Sequence, residues 1–247
     1  MLSTPTIPDR VKIDQLNAQL REMERSRPAS RETVSCGCRA LDRMLPREGL
    51  LRGSLIEWLA EGAGSGAQYL ALTAARQACR AGQTLVIVDS SARRGSTLYS
   101  PALSGMGLDL NRIVLVRPTD EKQALWSLEQ ALRCPAVGAV LGFPRQMDSY
   151  AYRRLQLAAE QSDGLGLLVR PSEVRGSPSW AELRWQVSPR PTACGWGLHV
   201  ELLRCRGYLG DGKVDLTIDE QTGEIHEAYS GSLASQLAHP TLASQRA

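Results

Sequence analysis

Five apolar runs of strand length recur at regular intervals along this 247-residue chain, and that rhythm constrains the fold more than any other feature. They are SLIEWL (54–59), TLVIVD (84–89), RIVLVRP (112–118), AVGAVLGF (136–143) and GLGLLVRP (164–171). Runs without polar alternation belong to strands covered on both faces, as in a parallel sheet. Helical spacing fills most of the gaps: residues 68–80, EKQALWSLEQALR (121–133) with Thr119 or Asp120 as its cap, and SYAYRRLQLAAEQSD (149–163). Strand–helix–strand alternation predicts an α/β, doubly wound, mostly parallel central sheet flanked by helices.

From Ala181 the rhythm changes. ELRWQVSPR, GLHVELLRCRG and KVDLTIDEQTG read as three strands with no room for crossover helices. They are expected to be antiparallel and to extend the C-terminal edge of the sheet. The sequence divides into an N-terminal arm (1–30), a core (31–223) and a small, polar tail (224–247) expected to be disordered. Within the arm, VKIDQLNAQLREMER places Ile13, Leu16, Leu20 and Met23 on one helical face, to be covered by this body or by another chain.

Composition excludes some classes. Apolar residues make up 43% and charged residues 22%, and no run reaches the roughly 20 apolar residues of a membrane span. No secretory leader is apparent, so a cytoplasmic protein is expected. The six cysteines include no CxxC pair and lie away from His199, His226 and His239; no metal and no cofactor is expected, and buried reduced thiols are. Net charge is only +3, but Lys12, Lys122 and Lys213 are the only lysines. Arginine suits phosphate and carboxylate, although a GC-rich genome gives the same bias.

The turn AEGAGSGAQ (60–68) sits where a strand-to-helix loop would hold phosphate. Such a loop reads G-x-x-x-x-G-K-[ST], its amides wrapping the phosphates, its lysine neutralising them and its hydroxyl holding magnesium. With Gly66 as the second glycine, Glu61 replaces the first, Ala67 the lysine and Gln68 the hydroxyl, while Gly62 and Gly64 remain as turn residues. The helix start still offers free amides, so weak anion binding stays open.

ETVSCGCRALDRML (32–45), EGLLRGSLIEWLA (48–60), VIVDS (86–90), GLDLNRIVLVRP (107–118) and QALWSLEQALRCPAVGAVL (123–141) together resemble the RecA recombinase core, over about Glu32 to Asp219. RRLQLAAE (153–160), LLVRP (167–171) and the segments from Ala181 to Gly207 are similar to the ImuA family of RecA-like proteins. The resemblance implies a RecA-like fold. It also places Ser91 where such ATPases carry the water-activating carboxylate and Phe143 where they carry the metal aspartate. With Ala67 and Gln68, that implies a non-enzyme.

For the ImuA family the resemblance implies an adaptor in damage-induced translesion synthesis, within the SOS response. Its partners would be an ImuB-like inactive Y-family polymerase and, indirectly, an error-prone C-family polymerase, with RecA or a second copy as further partners. The implied docking face is helix 121–133 beside strand 136–142, with Ala124, Trp126 and Ala131, and the Ile13–Met23 helix is its counterpart. Trp126 is an anchor or is covered by a loop. The counterparts of the RecA DNA loops carry Arg145, Arg153, Arg154, Arg170 and Arg175 near Tyr150, Tyr152 and Trp180, a pattern suited to single-stranded DNA. Alternatives are a DNA-dependent RecA-like ATPase, a DNA-binding recombination modulator, and a cell-division inhibitor on the same scaffold.

Overall fold

The computed structural model describes residues 31–62, 64–90, 98–192, 196–208 and 212–228. The arm residues Ile13, Leu16, Leu20 and Met23, the position Ser91 and residues 229–247 of the tail lie outside them.

The strands are β1 (Thr33–Val34), β2 (Leu50–Leu51), β3 (Leu55–Ala60), β4 (Thr84–Val88), β5 (Ile113–Val116), β6 (Val137–Gly142), β7 (Leu165–Pro171), β8 (Leu183–Arg190), β9 (Trp196–Cys205), β10 (Gly212–Ile218) and β11 (Ile225–Glu227). The helices are α1 (Arg39–Arg43), α2 (Ala67–Ala78), α3 (Ser100–Gly105), α4 (Glu121–Leu132) and α5 (Ser149–Ser162). β1 and β2 form a small antiparallel pair, and the other nine strands form one sheet in the order β11-β10-β9-β8-β3-β7-β6-β4-β5.

The five apolar runs are β3 to β7, all parallel, as their continuous hydrophobicity requires. The later strands extend the sheet beyond β3, but the first of the three is not antiparallel to the core. β8 runs parallel to β3 and turns antiparallel only at β9. Ile225–Glu227 pairs with β10 as the last of the described strands.

Two apolar layers clamp the sheet. One lies under α1, α2 and α3, around Ile56, Trp58, Leu70, Ile87, Leu167 and Trp185. Trp58 and Trp185 stand opposite each other in β3 and β8 with ring centroids 5.9 Å apart, stacked at 16°. The other lies under α4 and α5, around Leu55, Val140, Leu128, Leu132 and Leu155. Helix starts follow local chemistry: Asp120 Oδ1 accepts from the Gln123 amide at 2.7 Å, and Asp148 Oδ1 from the Ala151 amide at 2.7 Å. α2 has no side-chain cap and begins directly from Gly66.

Candidate functional site

β3 ends in the glycine turn, at the carboxyl end of the parallel strands where ligands of such sheets bind. Gly62, Gly64 and Gly66 all take positive φ (81°, 75° and 83°), so the turn keeps the left-handed geometry that glycine permits. Its last glycine meets an apolar side chain. A Cβ on Gly66 would lie 2.4 Å from Leu198 Cδ2, so a leucine of β9 is packed onto the turn. Ala67 is 1% exposed and part of the core under α2. Gln68 points to solvent. The Glu61 amide bonds to the Val187 carbonyl at 3.0 Å and its carboxylate accepts from Gln186 Nε2 at 3.3 Å, tying the turn to β8. Phe143 is half-buried against the same core, and its carbonyl accepts from Ser90 Oγ at 3.0 Å.

Sequence reading missed a buried polar cluster around Glu57. Glu57, in the middle of β3, has no solvent contact. Its Oε1 accepts from Arg170 Nη1 at 2.7 Å, and its Oε2 from Arg184 Nε at 2.6 Å and Ser179 Oγ at 2.8 Å. Tyr152 Oη lies 3.1 Å from Ser179 Oγ. Burial pushes the Glu57 carboxyl upward, but bonds from Arg184, Tyr152 and Arg170 outweigh it and hold the group below its usual range. Burial and the adjacent Glu57 push the Tyr152 phenol upward. The signal was a carboxylate inside the apolar run LIEWLA, because a buried charge needs partners.

This hub fixes two connections. Arg170 also donates to the Pro144 and Arg145 carbonyls at 3.3 and 3.1 Å, and Arg184 Nη1 to the Arg175 and Ser177 carbonyls at 3.0 and 2.9 Å. Segments 144–145 and 175–179 are thus anchored to one carboxylate. Arg170 is therefore not available to DNA: it is buried and neutralised. Arg153 and Arg154 are exposed on α5, with guanidinium carbons 5.9 Å from the Trp180 ring centroid and 5.7 Å from that of Tyr150. Arg154 also pairs with the buried Glu129 of α4, which Arg133 contacts at 2.6 Å. Arg175 pairs with Glu201 at 3.2 Å on the open face of β8 and β9, and Arg145 is exposed after β6.

The expected docking face is also redrawn. Trp126 is 60% exposed on α4, but Ala124 is 2% exposed and belongs to the core, and Ala131 is half-buried against it. Strand 136–142 is interior, flanked by β4 and β7, and offers no edge. The edge on this side is β5, whose Val114 is half-exposed and which pairs with β4 alone among the described strands. Among the described residues no helix is long and apolar enough to cross a membrane, and no group of three His, Cys, Asp or Glu side chains could hold a metal ion.

A mostly parallel sheet with helices on both faces, a glycine turn leading from β3 into α2, and an antiparallel C-terminal extension define a RecA-like α/β protein. No family model matches the chain. Protein ImuA from each of two strains of Caulobacter vibrioides is 33% identical over 173 residues, 62% of this chain and 68% of that protein. The cell division inhibitor SulA of Edwardsiella piscicida is 31% identical over 71 residues, 29% of this chain and 42% of that protein. The chain belongs to the ImuA family.

Proposed function

We propose that this chain is a non-catalytic RecA-like adaptor that acts in the cytoplasm in damage-induced mutagenesis by translesion synthesis. It docks an inactive Y-family polymerase relative of the ImuB type and, through it, an error-prone C-family polymerase. The observation that carries the reading is the burial of Ala67 beneath a turn onto which Leu198 is packed. Phosphoryl transfer depends on positioned cations and metal around the phosphates. Here the position of the cation is core, and the positions of the metal ligands are Gln68 and Phe143.

An adaptor needs a surface, and β5 with α4 offers one. The four residues of β5 are Ile, Val, Leu and Val, without the charge or proline that commonly blunts an edge strand, so an extended segment of a partner can add to it. Trp126 on the following helix supplies a large aromatic anchor. Co-purification with an ImuB-type protein tests this: Trp126→Ala and Val114→Lys should each reduce capture, and full capture by both variants would sink the reading.

A second reading has its own observation. Tyr150 and Trp180 are exposed rings, each beside a guanidinium, which suits stacking of single-stranded DNA bases. Arg153→Ala with Arg154→Ala should then lower affinity and salt slope together. The cell-division reading has less support, because the similarity to SulA spans less than half as much of the chain as that to ImuA.

A further inference from the structure

We infer that residues 175–180 form a preformed, rigid platform that presents the Trp180 ring to an unpaired base of a single-stranded nucleic acid, with Arg153 and Arg204 contacting phosphates of the same strand. The inference rests on the nucleic-acid reading of this surface and adds to it Arg204 as a contact and Ser179 as a positioning residue. Arg184 and Arg204 stand opposite each other in β8 and β9. Both hold the same segment. Arg184 Nη1 donates to the Arg175 and Ser177 carbonyls at 3.0 and 2.9 Å, and Arg204 Nη1 donates to the Ser179 carbonyl. Three alternate carbonyls are thus gripped by two side chains of the sheet. Ser179 is also held by its hydroxyl, which donates to the buried Glu57 Oε2 at 2.8 Å and accepts from the Ala181 amide at 3.1 Å. The backbone is therefore pinned on both sides of Trp180. A segment already ordered by folding does not lose that conformational freedom again on binding, which favours affinity.

The ring itself stays available. Trp180 is 45% exposed, and the Arg153 guanidinium carbon lies 5.9 Å from its centroid. An exposed, immobile ring beside cations is what stacking of an unpaired base needs. Arg153 donates to Gln156 Oε1 at 2.8 Å and Arg204 to a carbonyl. Both acceptors are neutral, so each arginine keeps its charge for phosphate. Both are exposed. Arg170 and Arg184, in contrast, are buried against the Glu57 carboxylate and act only by holding the backbone.

The test measures binding of the full chain to a short fluorescein-labelled oligothymidylate over a range of salt concentrations. Trp180→Ala is expected to weaken binding about tenfold with the salt slope unchanged. Arg204→Ala should weaken binding and lower the slope by about one. Ser179→Ala keeps the ring and both cations, so binding should weaken about threefold at constant slope while the chain stays folded. Amides over 175–181 should be protected from exchange in the free wild-type chain. Wild-type affinity in Trp180→Ala would overturn the inference, as would equal affinity for a duplex of the same length. Unprotected amides in the free chain, or wild-type affinity in Ser179→Ala, would show that the platform is not preformed. Weaker binding by Arg153→Ala with Arg154→Ala, but not by Trp180→Ala or Arg204→Ala, would sink this inference and leave the broader nucleic-acid reading standing. No binding by the wild-type chain would end both.

Discussion

Arg170 donates to the Glu57 carboxylate at 2.7 Å where neither side chain has meaningful contact with water. Removing one partner of such a pair leaves the other charge buried and uncompensated, a cost of about 3–5 kcal/mol. Glu57→Gln should therefore lose about that much stability at pH 7 in urea unfolding. The Glu57 carboxyl is held below its ordinary 4.5 in the folded chain. Its contribution is thus complete above pH 4.5 and is lost as pH falls through the folded value. The gap between wild type and variant should narrow below pH 4.5, and a gap constant down to acid would show that the charge is not what matters.

The turn before α2 makes a second prediction. Gly66→Ala forces a positive φ of 83° on alanine and brings its Cβ 2.4 Å from Leu198 Cδ2. A loss of about 1–3 kcal/mol is expected. Leu198→Ala should recover the steric share but not the backbone share in a double-mutant cycle. Strict additivity of the two would mean that the packing contact contributes nothing.

Nucleotide should not be rescued by one residue. Ala67→Lys sets a cation in apolar core, so its melting temperature should fall and Mg-ATP should not raise it. Micromolar Mg-ATP binding by the wild-type chain would overturn the adaptor reading.

Loss of Trp126 should separate binding from folding. Its side chain is mostly in water, so Trp126→Ala should change unfolding free energy by no more than about 0.5 kcal/mol while lowering partner capture. A melting shift as large as the loss of capture would remove the anchor role.

Thiol labelling should follow burial rather than sequence context. Cys36, Cys38 and Cys205 are buried and Cys134 is exposed. Burial pushes the Cys79 and Cys205 thiols up to about 11, so little thiolate forms there at neutral pH. Among these described cysteines, iodoacetamide followed by peptide mass spectrometry should find Cys134 alkylated first. Faster labelling of Cys79 would contradict the packing of α2 on β6.

The sequence by itself determined β3 to β7 and the helices α2, α4 and α5, because continuous apolar runs and helical periodicity are local patterns that burial on two faces requires. Only the tertiary structure decided where charges meet. Arg170 reads as a surface cation and Glu57 as an intruder in a strand, and 113 residues of chain separate a pair that the β3–β7 register brings together. The edge strand was equally hidden: strand order decides that β5 lies outside and β6 inside, and no run of residues encodes that order by itself. Ala124 and Trp126 are two positions apart on α4, and the way the helix is laid on the sheet sends one into the core and the other into solvent.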